Sequence, residues 1–285
     1  MTWHWKTGTP ETSKKFSKAH YHGEAKLISV FSNINEENFR EYPYSYVITT
    51  QALDPAYYQE LATNFPDVST ILSEGLGKNN VLILLPTLKF LAKGLLAPIW
   101  QEFIEYHHSP AFFQEMVGIF GDQIRQAHPD LEARLGKSLE SLTVSARGSG
   151  IDTDVSIECQ FGLNTPVSTP SRVRGFHVDN PKKISNAILY MPLDEDTSEG
   201  GHFQIGRFRG QPKFQGVSVS DEEVEVVDHV IYQANTLISM INTPFALHAV
   251  SPRMPTPHPR RYINFLAELR KPIFDLAPFQ DSDTP

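Results

Sequence analysis

The triplet His177-Val178-Asp179, together with a distant His248, constrains this chain more than any other feature of its sequence. In an extended strand the side chains at i and i+2 leave the same face, so one imidazole and one carboxylate point together; a helix would splay them apart. For His248 to join them, the fold must bring strands far apart in sequence side by side. Two imidazoles and one carboxylate make the facial ligand set that leaves three coordination positions open on iron(II). The arginines of Pro259-Arg260-Arg261-Tyr262 follow the last ligand and need an anion to bind.

Composition removes several function classes. The chain has 33 acidic against 25 basic residues, a net charge of −8, and no dense Lys/Arg stripe able to neutralise a phosphate backbone, so nucleic acid is not an expected partner. The longest greasy region, from Val81 to Trp100, is interrupted by Pro86, Lys89, Lys93 and Pro98. It falls short of the run of about 18 apolar residues that a membrane span requires, so no membrane partner is expected. The start of the chain lacks the apolar core of a secretory signal. Cys159 is the only cysteine, so an intrachain disulfide is impossible, which suits a reducing cytoplasm and ferrous iron. An apolar content of 40% is enough for a packed core.

Local patterning divides the chain into a polar N-terminal arm (1–42) and a single domain (43–285). That domain comprises a mainly helical support (43–142), a strand-rich core (143–270) and a C-terminal tail (271–285). Tyr44 to Thr50 reads as a strand, and Asp54-Pro55 as a helix N-cap with proline at the first helical position. Ser109-Pro110 repeats that start signal, and Gly121 is placed to end the second helix. From about residue 143 the texture becomes short strands with turn residues between them. Val155, Ile157, Cys159 and Phe161 alternate with polar residues as in a half-buried strand, and further strands are expected at 184–191, 202–205, 223–232, 236–241 and 261–269. Many short strands punctuated by Gly, Pro and Asn argue for a sandwich or jelly roll, giving a β-rich α+β class overall.

The ordered set His177-Val-Asp179-Asn-Pro, Asn186 to Leu193 with Tyr190, Glu199-Gly-Gly, His248-Ala-Val and Arg261-Tyr262 resembles the iron(II)/2-oxoglutarate-dependent oxygenases of the prolyl-hydroxylase-like and phytanoyl-dioxygenase-like group. The resemblance spans roughly residues 43 to 270 and implies a double-stranded β-helix, or cupin-like jelly-roll, core. It further implies Fe(II) held by His177, Asp179 and His248, 2-oxoglutarate as co-substrate, O2 as oxidant, and succinate and CO2 as co-products. Family members that halogenate usually carry glycine or alanine where this chain has Asp179, so hydroxylation, or a demethylation, desaturation or cleavage derived from it, is the expected outcome.

One carboxylate of 2-oxoglutarate needs a cation, and arginine offers a planar fork of donors that stays charged. Strand parity separates Arg261, Ile263, Phe265 and Ala267 from Arg260, Tyr262, Asn264 and Leu266. The more apolar first set reads as the barrel interior and the resemblance aligns Arg261, so Arg261 is the expected clamp and Arg260 the alternative should the register slip. Tyr190 and Gln160 are the other co-substrate candidates, and Arg253 stands too close to His248 to serve.

Other features have plainer readings. Most histidines are surface or hydrogen-bonded residues; His107-His108 reads as structural or solvated, and His202 as a strand-edge residue rather than one facing substrate. Arg172 and Arg174 read as a solvated loop, and Asn242, Thr243 and Phe245 are pocket candidates by position alone. The expected substrate is a small metabolite, with loop 207–221 and the helical half selecting it. Alternatives from the same residues are a peptide prolyl-type hydroxylase, a non-oxidative metal-dependent cupin-like enzyme, and a silent binding module that keeps the fold.

Overall fold

The strand Arg260–Leu269 lies at the centre of a large sheet, paired antiparallel to Val155–Asn164 on one side and Lys183–Tyr190 on the other. The computed structural model describes residues 28–67 and 78–280. Most of the expected N-terminal arm and residues 281–285 of the expected tail lie outside the described residues.

Numbered along the chain, the strands are β1 (Phe39–Arg40), β2 (Tyr46–Thr49), β3 (Leu82–Pro86), β4 (Val144–Ala146), β5 (Val155–Asn164), β6 (Lys183–Tyr190), β7 (Phe203–Phe208), β8 (Val224–Val230), β9 (Leu237–Ile241), β10 (His248–Val250) and β11 (Arg260–Leu269). The large sheet runs β1-β2-β9-β6-β11-β5-β3 with β4 alongside β5, and a second sheet runs β10-β7-β8. The helices are α1 (Pro55–Thr63), α2 (Thr87–Ala92), α3 (Pro98–His107), α4 (Pro110–Ala127) and α5 (Leu131–Leu135). The architecture is mixed α+β, with the helices packed on one face of the large sheet and the small sheet on the other.

Helix starts follow the sequence signals. The Asp54 carboxylate accepts from the amides of Ala56 and Tyr57, and the Ser109 hydroxyl from that of Phe112. Gly121 does not stop α4, which continues to Ala127 and buries Ile124. The apolar period outlasts the glycine, and Arg125 packs over it: a Cβ at Gly121 would come within 3.1 Å of the Arg125 guanidinium. Arg125 in turn reaches Glu132 and Glu140 beyond the helix end. The greasy stretch after Val81 supplies a strand, β3, as well as a helix, so the N-terminal half contributes strands to the same sheet it buttresses.

The large sheet is buried on both faces, which corrects the expectation that β5 is half-solvated. One face carries Ile157, Cys159, Phe161, Leu163, Ile263, Phe265 and Ala267, packed with Trp100, Phe103, Phe112 and Phe113 of the helices. The other carries Tyr190 and Tyr262, packed with Phe203, Ile205 and Val230 of the small sheet. The apolar set of β11 therefore faces the helices and not the space between the sheets, the reverse of the expected assignment.

Close approach fixes Gly162. A Cβ there would lie 2.2 Å from the Tyr262 ring, and the ring is the harder of the two to move because it is buried. Gly162→Ala should cost ~1–3 kcal/mol of unfolding free energy by overpacking. Adding Tyr262→Ala should recover part of that loss, and simple additivity in urea unfolding would show that the two do not compete for space.

Of the two readings left open for His107 and His108, structural or solvated, burial of both decides for the first. Each donates Nδ1–H one turn back, to Phe103 O at 2.7 Å and Ile104 O at 2.9 Å, and each Nε2 accepts a backbone amide, from Val30 and Cys159. Burial pushes His107 down to about 3, against the ordinary 6.5. The unfolded chain takes up that proton near pH 6.5 and the folded chain near pH 3, so stability falls as pH drops through this window. His107→Gln should show a shallower loss of unfolding free energy between about pH 6.5 and about pH 4, and identical slopes would remove His107 from the acid response.

Candidate metal centre and anion pocket

His177 reaches His248 through the backbone before it does so through side chains. The two residues form an antiparallel bridge in which each amide donates to the other's carbonyl at 3.0 Å. β10 then pairs with β7 (His248 opposite Ile205), and Val178 bonds to Val217 on the outer side, so the His177 segment lies within the small-sheet layer. Asp179 follows two residues on, with the period that puts both side chains on one face. Ligating atoms of His177, Asp179 and His248 lie within 4.8 Å of one another, and all three residues are buried.

The surroundings leave one open valence on each. His177 Nδ1–H donates to Gly175 O and His248 Nδ1–H to Ala246 O, both at 2.9 Å, which fixes the tautomers and turns Nε2 of each ring inward. Phe203 stacks against His248, with ring centroids 5.1 Å apart, and limits its rotation. Asp179 Oδ1 accepts from Lys183 Nζ at 2.8 Å, whereas the buried Oδ2 has no partner. Burial holds both imidazoles below their ordinary pKa, helped at His177 by the neighbouring His248 and Arg174, so both are neutral at physiological pH. Burial alone would raise Asp179, but the charge and hydrogen bond of Lys183 outweigh it and keep the carboxylate ionised. Two neutral imidazole nitrogens and one carboxylate oxygen facing one point fit a divalent transition metal.

Deeper between the sheets lies a cation. Arg260 is buried, with its guanidinium carbon 4.9 Å from the Tyr190 ring centroid, 4.8 Å from Tyr232 and 5.1 Å from Tyr262. Three aromatic faces at this range attract a desolvated cation and hold it in one place. Among the described residues no carboxylate pairs with it; its guanidinium makes a long contact to Asn164 Oδ1, at 3.4 Å, and lies beside the Tyr190 hydroxyl. Arg260 Nε, Tyr190 Oη and Asn164 Nδ2 are buried with no hydrogen-bond partner. Each such donor costs ~1–3 kcal/mol unless something accepts from it, so the cluster calls for an anion.

Arg261, the expected clamp, points the other way. Its Nε donates to Met191 O at 3.0 Å and its Nη2 to Pro192 O at 3.3 Å, and its guanidinium lies over Phe65 at 4.7 Å, on the helix side. The apolar face of β11 packs against the helices, which offer the larger greasy surface. Tyr190 and Gln160 do lie on the inner face, Gln160 accepting from Asn264 Nδ2 at 2.9 Å. Asn242 is tied down, donating to Asn180 O and Lys183 O. Thr243 caps the following turn, and Phe245 is half-exposed against Phe208 and Phe279. Arg172 pairs with Asp221 at 2.6 Å and Arg174 is exposed.

Several contributors were not legible as site residues. Tyr232 is one wall of the arginine cage, yet it lies outside any motif. Arg253 forms a fully buried pair with Asp196 at 2.5 Å, which ties residues 196–201 to residues 251–254. Gly201, with φ +69°, sits between the side chains of Arg253 and Arg260, where a Cβ would meet both. Spacing hinted only at Lys183, four residues after Asp179 across a proline turn.

No protein-family model and no curated protein sequence matches this chain. Solved structures similar to it include a prolyl 4-hydroxylase from Phytophthora capsici, 14% identical, covering 90% of this chain and 70% of that one with a TM-score of 0.45. An oxidoreductase of the 2OG-Fe(II) oxygenase family from Burkholderia pseudomallei is 13% identical, with 90% and 95% covered and a TM-score of 0.39. A prolyl-4-hydroxylase from Pseudomonas putida is 15% identical, with 79% and 88% covered and a TM-score of 0.38.

Proposed function

We propose that this chain is a non-haem iron(II) and 2-oxoglutarate-dependent dioxygenase with a double-stranded β-helix core, oxidising a C–H bond of a small molecule. The observation that carries the reading is the pairing of two kinds of unfilled valence between the same two sheets. His177, Asp179 and His248 present three ligand atoms to one point, and Arg260, Tyr190 and Asn164 present donors without acceptors. A metal answers the first set and a carboxylate the second, and 2-oxoglutarate carries both a metal-chelating end and a distal carboxylate.

The chemistry supplied at such a centre is oxidative decarboxylation of 2-oxoglutarate by O2, coupled to oxidation of the substrate, with succinate and CO2 released. This chain's own residues do the rest. His177, Asp179 and His248 would hold the metal and, being three ligands, would leave further positions for co-substrate and O2. Arg260, held by its three tyrosines, receives the distal carboxylate, with the Tyr190 hydroxyl as second donor. The aromatic walls exclude water around that pair, which strengthens it. Loop 207–221 covers the His177 segment, with Phe214 fully buried and Val217 bonded to Val178, and serves as the wall that selects substrate.

Anaerobically purified protein should bind Fe(II) and, with O2 present, convert 2-oxoglutarate to succinate; chromatographic detection of no succinate above a metal-free control would sink the proposal. His177→Ala and Asp179→Ala should lower Fe(II) affinity by a factor on the order of 100, since each removes a ligand.

The two arginines should behave differently. Arg260→Ala should raise the 2-oxoglutarate dissociation constant of the metal-loaded protein by about tenfold or more, with metal affinity unchanged, because a buried carboxylate loses its charged partner. Arg261→Ala should instead lower the thermal midpoint and leave that dissociation constant within a factor of about 3, its donors being spent on carbonyls. The opposite pattern by calorimetry would return the clamp to Arg261.

A further inference from the structure

Asp179 reaches the metal point with only one of its two oxygens free, and the reason is local. Asn180 O accepts from Lys183 N at 2.9 Å and Asn180 Oδ1 from Lys182 N at 3.0 Å, closing a turn in which Pro181 presets the backbone angle. The fully buried Asn242 clamps that turn from the end of β9, its Nδ2 donating to Asn180 O at 2.9 Å and Lys183 O at 3.1 Å. The chain is thereby folded back so that Lys183, the first residue of β6, stands over Asp179 and binds Oδ1 at 2.8 Å, with both side chains largely buried. Oδ2 is left buried and without a partner.

We propose that Lys183 is a positioning residue that keeps Asp179 a one-oxygen ligand and so preserves the third open coordination position. This rests on the metal-centre reading above but not on the identity of the co-substrate. A carboxylate free to turn can offer both oxygens to a metal. That would occupy one of the three positions, leaving two, and a chelating co-substrate would then fill the site and exclude O2. With Oδ1 committed to Lys183, the second oxygen is withheld. The ammonium also offsets the carboxylate charge in a buried site, so a charge effect must be separated from a denticity effect.

The test uses Co(II)-loaded full-length protein and two probes of equal charge, acetohydroxamate, which takes two positions, and azide, which takes one. Wild type and Lys183→Met are compared by absorption titration, with Lys183→Arg as the variant that keeps a cationic donor. Lys183→Met is expected to bind Co(II) at least as tightly as wild type and each probe alone unchanged, while azide binding to the protein already saturated with acetohydroxamate falls by about tenfold, because the chelator then fills the two positions that remain. Lys183→Arg is expected to restore it. Equal loss of azide with and without acetohydroxamate would make the effect one of charge and overturn the proposal, as would unchanged azide binding to the acetohydroxamate-saturated protein or loss of Co(II) itself in the methionine variant. Should Lys183→Met not fold, as judged by circular dichroism, Lys183→Gln takes its place with the same expected pattern. Failure of wild type to bind Co(II) would instead overturn the metal centre, a separate result.

Discussion

The alternation of β11 between two unlike environments is the constraint on which the rest of this structure depends. The strand is buried on both faces, so each of its residues must suit either a helical layer or the space between two sheets. Ile263, Phe265 and Ala267 suit the first, where Trp100, Phe103, Phe112 and Phe113 supply a large apolar surface. Tyr262 and Asn264 suit the second, together with Arg260. Because side chains alternate strictly, a shift of one residue would drive Arg260 into the helices and the apolar set into the pocket. The helices thus do more than stabilise: by taking up the greasy face, they leave the other face free to be polar.

The part of the fold that carries His177, Asp179 and His248 is organised by backbone pairing. The mutual hydrogen bonds of His177 and His248 join a loop segment to β10, and the β7 pairing extends the layer, so the ligand positions are set by ladder geometry. Side-chain contacts then remove the remaining freedom. The Nδ1 bonds to Gly175 and Ala246 fix ring orientation, and Lys183 fixes the carboxylate. Three side chains held in place beforehand would take up a metal without much loss of conformational freedom.

Much of this was legible in the sequence, and the remainder failed for identifiable reasons. The His-x-Asp spacing, the helix caps at Asp54 and Ser109 and most strand positions follow from short-range rules of period and capping, whereas His248 joined the set only through the ordered family resemblance. Gly121 misled because a glycine signal is local, whereas the packing of Ile124 and Arg125 beyond it is not. β5 looked half-solvated because its polar residues lie towards an interior, and sequence alternation cannot tell a polar pocket from water. The same ambiguity reversed the two arginines. Hydrophobicity identified the two faces of β11 correctly and then assigned the apolar one to the wrong neighbour. Lys183, Tyr232 and Arg253 belong to no periodic pattern, and only the turn at Pro181 and the pairing of distant loops bring them into place.

What separates Arg260 from Arg261 is what each leaves unfilled, and this distinction reaches further than strand parity. Both are buried, and both lie over aromatic rings. Arg261 spends its donors on the carbonyls of Met191 and Pro192, so removing it breaks structure. Arg260 Nε, the Tyr190 hydroxyl, Asn164 Nδ2 and Asp179 Oδ2 are instead held without partners between the two sheets. Each such group costs ~1–3 kcal/mol in a dry environment, and a fold of ordinary stability has little surplus to leave several of them unmet. Ligands that fill them return that free energy as binding and stabilise the folded state by mass action. On the reading proposed above, a metal at His177, Asp179 and His248 and a carboxylate at Arg260 would fill the unpartnered groups of both signs found there.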